Sequence, residues 1–232
     1  MSLEKVSIKG VEIYPFTSCQ QILQFTEEHN GIMISVNAEI ILNANVEMRQ
    51  FINRHIGYCD GAGPLMLLKK MGYKDAIKMA GCELWLKIAE KYYQSKSFYL
   101  VGSKQEVIEE TVCKLRSQFS GINILGYRNG YIKNDTERQA LIDDILRKKP
   151  DVIYVAMGAP KQERLMEELE RQHKAIYMGL GGSFDVYTEH VKRAPEWWVN
   201  HNVEWLYRLI HQPSRIKRQI KLVKFAWWIL KK

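Results

Sequence analysis

Residues 151–164 read Asp-Val-Ile-Tyr-Val-Ala-Met-Gly-Ala-Pro-Lys-Gln-Glu-Arg. The stretch opens on a short apolar run, Val152 to Met157, and breaks at Gly158-Ala159-Pro160. It resumes as a charged, helix-like pattern from Lys161. A strand covered on both faces of a parallel sheet carries a continuous apolar run of this kind. Proline suits the first turn of a helix, where its missing N–H leaves no bond unmade. The stretch therefore predicts a buried strand turning sharply into a helix. In an open α/β sheet, ligands gather at the carboxyl ends of such strands, where helix N-termini present free N–H groups. Gln162 falls in that first turn and is expected to face the crevice. Taken by itself, the stretch reads equally well as an ordinary strand–helix junction.

The same period runs outward on both sides. Phe98–Val101, Ile122–Leu125 and Ala175–Leu180 read as strands, with helices between them to about Phe119 and over roughly 135–148. On the N-terminal side, Val6–Ile8 and Val11–Tyr14 alternate about Gly10 as a hairpin. Thr17-Ser18 opens a helix to about His29. Ile32–Val36 is an apolar strand, followed by one helical pattern from Ile40 to Ile52. Ile56–Cys59 is a strand closed by Asp60-Gly61, and Gly63-Pro64 starts a helix to about Met71. Ile77–Ala80 leads through Gly81 into a helix carrying Leu84, Trp85, Ile88 and Ala89. Alternating strands and helices predict an α/β fold, Rossmann-like, with a mainly parallel sheet flanked by helices. A composition shift at Ala194-Pro195 divides residues 1–194 from a C-terminal segment, 195–232, that holds five of the six tryptophans.

Charge marks the same segment. The chain carries a net +8, and Pro213–Lys232 alone holds seven basic residues and no acid. The body is therefore close to neutral, which argues against a nucleic-acid binder and for a tail that meets an anionic partner. Ile216, Ile220, Val223, Trp227 and Leu230 recur at helical spacing, with basic residues on the other faces. A basic amphipathic helix ending in Trp-Trp and Lys-Lys suits an anionic membrane surface; docking on the body or on a second copy is the other reading. No apolar run reaches the roughly 18 residues that a spanning helix needs, and MSLEKVSIKG lacks the pattern of a secretory signal. The four cysteines, Cys19, Cys59, Cys82 and Cys113, lie far apart and read as buried, reduced thiols.

Several polar groups fall at predicted strand ends: Asn37, Glu39, Asp60, Gly102-Ser103, Tyr131, Gln162 and Asp185. Each has a structural alternative. Asn37 and Asp60 suit helix caps and Asp185 suits a turn, so the signal is their joint placement. Gly179-Leu180-Gly181-Gly182 lacks the third glycine of a dinucleotide fingerprint, and there is no P-loop lysine. No Asp-x-Asp pair is present to hold a metal on a diphosphate, so no metal and no cofactor are expected. A departing phosphate would then rely on arginine, lysine and helix N-termini.

Taken together, these segments resemble the WecG/TagA/CpsF glycosyltransferase family. The matching runs include Val36-Asn37-Ala38-Glu39, Asp60-Gly61, Lys78-Met79-Ala80-Gly81, Gly130-Tyr131, residues 157–163, Gly181-Gly182-Ser183-Phe184-Asp185, residues 191–195 and residues 204–209. They fall in the family's order over nearly the whole chain. The resemblance implies an inverting, metal-independent transfer from a UDP-sugar to a polyprenyl-diphosphate-linked sugar in surface polysaccharide biosynthesis. It implies a catalytic role for residues 1–194 and a membrane-binding role for the helical appendage. It makes Asp60 the general base, puts Asn37 and Gln162 around donor sugar and acceptor, and assigns Lys78 to the same machinery. Tyr131 and Asp185 are expected at the uridine with Gly102, and Arg208, Arg215 and Arg218 near the diphosphate. His190 to Pro195 and Gln212 to Gln219 look most like members that move N-acetylmannosaminuronic acid; N-acetylmannosamine, glucose or another hexose are the alternative donors. The implied location is cytoplasmic, peripheral on the inner face of the cell membrane, with self-association open. A non-catalytic membrane- or nucleic-acid-binding α/β domain is the competing class. Two departures stand out. Lys78 occupies the position of a usual arginine, keeping the charge without the bidentate fork, and Ala62-Gly63-Pro64 differ from the pattern beside the base.

Overall fold

The computed structural model describes residues 3–192 together with Pro195, Trp197 and Trp198. Arg208, Arg215, Arg218 and the basic amphipathic stretch lie outside the described residues, as does the expected boundary at residue 194. The described residues form two compact units, one of residues 3–19 and 35–80, the other of 20–34 and 81–192. Composition does not change at residues 19, 34 or 80, so a reading that places 1–194 in one domain has no signal for this division.

The first unit begins with the antiparallel hairpin of β1 (Val6–Ile8) and β2 (Val11–Ile13). Beyond it, Tyr14 bridges in parallel to Tyr58 of β4 (Ile56–Cys59). The helical pattern over residues 40–52 proves to be two helices, α2 (Ala38–Asn43) and α3 (Val46–Arg54). Two asparagines make the break. Asn37 accepts the amide of Ile40 at 3.0 Å, and Asn45 that of Met48 at 2.8 Å. Asparagine competes with the helical backbone for its own hydrogen bonds and so favours a cap over an interior site. Helix α4 (Ala62–Lys70) follows β4 through Gly61, whose φ of +89° suits glycine.

The second unit holds α1 (Cys19–Glu28) from its residue 20 onward, and the start of β3 (Gly31–Val36). It continues with α5 (Gly81–Tyr92), β5 (Ser97–Gly102), α6 (Gln105–Gln118), β6 (Asn123–Arg128) and α7 (Asp135–Lys148). It closes with β7 (Val152–Ala156), α8 (Lys161–Glu170), β8 (Ile176–Gly179) and the short α9 (Ser183–Tyr187). The sheet has six strands in the order β4-β3-β8-β7-β5-β6. The pairs β3–β8, β8–β7, β7–β5 and β5–β6 are all parallel. The α/β architecture expected from the alternation is therefore present. Every residue of β7 is buried, as its unbroken apolar run requires. Fully buried Trp85 of α5 lies edge-on to Tyr154, Phe184 and Tyr187, with centroids 5.5, 5.6 and 5.2 Å away. Such pairs add about 0.5–1.5 kcal/mol each to the area they bury.

Two expectations need correcting. β6 runs to Arg128 rather than stopping at Leu125. Gly126 does not end it, because the missing side chain makes room for the Tyr99 ring, 2.5 Å from where a Cβ would stand. The cysteines are all free, but only Cys59 is buried; Cys113 is exposed on α6.

Candidate functional site

In the first unit, the ends of β3 and β4 bring a carboxylate and a hydroxyl together. The Asp60 amide donates to the Val36 carbonyl at 3.0 Å, which fixes the backbone beside Asn37. The Asp60 carboxylate accepts a short hydrogen bond from the Ser35 hydroxyl. It does not cap α4: the cap position is Gly61, and no side chain supplies a cap bond there. Asn37 does cap α2 through its Oδ1, which leaves its Nδ2 protons for another acceptor. Lys78 is held by its neighbours: Ile77 N–H donates to Phe16 O at 2.9 Å, and Met79 N–H to Cys59 O at 2.9 Å. Its charge is felt at Cys59. Burial pushes that thiol up to about 12, and the Asp60 carboxylate adds to the rise while the Lys78 ammonium pulls it back. Cys59 is thus an inert, protonated thiol.

In the second unit, the strand order contains a switch point. β5 is followed in sequence by β6 on one side and paired with β7 on the other. Ligands of open α/β sheets bind outside the carboxyl ends at such a place. Here those ends are shaped by glycine. Gly102 has φ +138°, and a Cβ on it would stand 2.3 Å from the Ala156 carbonyl oxygen. Gly130 packs against it, its would-be Cβ 3.1 Å from Gly102 Cα, and its amide donates to Ser103 O at 2.9 Å. Ser103 Oγ donates to Asp185 Oδ2 at 2.9 Å, tying the end of β5 to α9. Tyr131, next to Gly130, is 63% exposed and offers a free aromatic face.

Gln162 is in the first turn of α8 as expected, but it is buried and does not point freely outward. Its Oε1 accepts the amides of Gly158 and Gly181, both at 3.1 Å, so it joins the loops after β7 and β8. Its Nε2 donates to Glu163 Oε1 at 3.0 Å. Glycine at 179 makes room for it, since a Cβ there would lie 2.6 Å from Nε2. Glu163 Oε2 is buried without a hydrogen-bond partner.

Residues 6–232 match the family described as glycosyl transferase WecG/TagA/CpsF. The chain belongs to this glycosyltransferase family. The non-catalytic reading is thereby set aside, and the protein is a transferase enzyme that takes a sugar donor and an acceptor. Of the expected residues, the glycosyltransferase groups Asp60, Asn37 and Lys78 in its first unit and Gln162, Asp185, Gly102 and Tyr131 in its second. Two partners are not among the residues expected at the site. Ser35 was legible only as the one hydroxyl inside the apolar run Ile32–Val36, and Glu163 only as the carboxylate beside Gln162. Among the described residues no cluster of three or more His, Cys, Asp or Glu is arranged to hold a metal ion.

Proposed function

We propose that this glycosyltransferase moves an N-acetylmannosamine-type sugar from a UDP-sugar to a polyprenyl-diphosphate-linked sugar, with inversion and without a metal. The observation that carries the reading is the state of Asp60. Its carboxylate accepts the Ser35 hydroxyl at the ends of β3 and β4 and is not spent on capping α4, which suits it to take the proton of an acceptor hydroxyl. In this reading the acceptor hydroxyl gives its proton to Asp60 while its oxygen bonds to the anomeric carbon. The bond from that carbon to the diphosphate breaks, UDP leaves, and the configuration inverts in a single displacement. No second carboxylate is needed as nucleophile. The charge that develops on UDP is assigned to Lys78 and to Arg208, Arg215 and Arg218 of the C-terminal segment. Asn37, with its two unused Nδ2 protons, is assigned to the sugar hydroxyls.

The donor nucleotide is assigned to the switch point of the second unit. Glycine at 102 and 130 would allow a flat group to approach the backbone, Tyr131 offers a ring to stack on a uracil, and Asp185 a carboxylate for ribose hydroxyls. The basic, tryptophan-rich tail would hold the enzyme on the cytoplasmic face of the membrane, where a lipid-linked acceptor resides. The reading is tested by UDP release with a panel of UDP-sugars and a short-chain diphospholipid-linked GlcNAc acceptor, in the presence and absence of EDTA. Release with UDP-N-acetylmannosaminuronic acid or UDP-N-acetylmannosamine, undiminished by EDTA, is the expected result. Preference for UDP-glucose would move the donor assignment, and loss with EDTA restored by Mg²⁺ would overturn the metal-free mechanism.

A further inference from the structure

Three of the large apolar residues left in solvent among the described residues lie within eight positions of chain. They are Met66 and Met71, about half exposed, and Tyr73. Met66, Lys69 and Lys70 follow the three- and four-residue spacing of one helix face, while Pro64, Leu67 and Leu68 bury the other; Met71 and Tyr73 belong to the turn that closes the helix. Lys69, Lys70 and Lys74 are all exposed among these apolar groups, and the one acid beside them is Asp75, exposed next to Lys74, so the stretch 66–75 is net basic. The patch is held in shape. Gly72, with φ +99°, lets Tyr73 N–H return to Leu68 O at 3.0 Å, and Ala76 N–H then bonds Tyr73 O at 3.1 Å.

We propose that this outer face of α4 and its closing turn form a contact surface for an anionic lipid bilayer, separate from the C-terminal segment. Charge chooses the occupant. The segment 213–232 carries seven basic residues and no acid, so laying it over this patch would set lysine against lysine. A second copy meeting the same face across a two-fold axis would do likewise. Anionic headgroups complement the lysines, and methionine and tyrosine side chains suit the headgroup–acyl boundary. No helix among the described residues is long and apolar enough to cross a membrane, so the contact is with the surface. The proposal deepens the reading that the acceptor is lipid-linked and rests on it: α4 begins two residues after Asp60, so docking this helix would bring the base to the membrane.

The test is co-sedimentation of the full chain with vesicles of phosphatidylcholine alone or mixed with phosphatidylglycerol. Lys69→Gln/Lys74→Gln should weaken binding to the mixed vesicles by roughly thirtyfold, since each surface lysine near an anionic bilayer contributes about a factor of five. Met66→Ser/Met71→Ser/Tyr73→Ser should weaken binding to both. Turnover on a water-soluble acceptor analogue should stay unchanged in the lysine variant, which reports that the fold is intact. Wild-type binding in both variants overturns the proposal and leaves the C-terminal segment as the sole anchor. A drop in molar mass by sedimentation velocity, with vesicle binding intact, overturns it in favour of a contact between copies. Vesicle binding needs no sugar transfer, so an enzyme inactive on every lipid-linked acceptor refutes the functional reading and leaves this result standing.

Discussion

At the scale of single residues, Asp60 and Gln162 part company. Asp60 accepts a hydroxyl, so Asp60→Asn keeps an acceptor for Ser35 while removing the negative charge and the capacity to take a proton. UDP binding should survive while transfer falls by roughly 10²–10⁴. Calorimetric UDP titration beside a UDP-release assay measures both; transfer near the wild-type rate would remove Asp60 from the role of base. Gln162 sits otherwise. It accepts two backbone amides from two loops, so Gln162→Ala leaves both N–H groups without their partner. Each buried donor so orphaned costs about 1–3 kcal/mol. We expect a urea midpoint well below wild type as well as lost turnover. Lost turnover at unchanged stability would instead assign Gln162 to the substrate alone.

At the scale of elements, the end of β5 illustrates what a strand terminus demands. Gly102→Ala would place a methyl group 2.3 Å from a backbone oxygen at a φ of +138°. Gly121→Ala, also at positive φ but with open space around it, is the control for backbone strain alone, about 1–2 kcal/mol. The first should abolish UDP binding and the second should spare it; equal behaviour would show that the close approach of β5 to β7 is immaterial. Elements were also where the sequence was most readable. β7 and β8 announced themselves because a strand covered on both faces has no polar side to interrupt its apolar run. The split between α2 and α3 was hidden because both halves keep the same apolar spacing, and the caps that decide it are single asparagines. The true end of β6 was hidden because Gly126 answers to the ring of Tyr99, which comes from another strand. The inward turn of Gln162 depends on Gly158 and Gly181, and no local pattern reports a bond between loops.

At the scale of the whole molecule, the buried hydroxyls and the thiol set an alkaline limit. Burial raises Cys59 to about 12, and it raises Tyr99, Tyr154 and Tyr177 above the ordinary phenol value. Below the ordinary thiol and phenol pKa values of about 9 and 10, native and unfolded chains hold the same protons here. Above them the unfolded chain releases protons that the native chain keeps, so stability falls as pH rises. Urea unfolding at pH ~8 and ~10.5 should show a loss on the order of 2 kcal/mol from Cys59, with the tyrosines adding to it. Equal midpoints at the two pH values would contradict the burial of these groups.

The threading of the chain has a further consequence, for inheritance. Residues 3–19 and 35–80 make one unit and 20–34 and 81–192 the other, so along the gene the two alternate. A single recombination breakpoint can never pass on one of them whole without cutting the other. A break after codon 80 would deliver residues 81–192 without Gly31, Ile32 and Met33, the residues of β3 that pair with β8. New specificities in this lineage should therefore arise by substitution within the loops rather than by shuffling of halves.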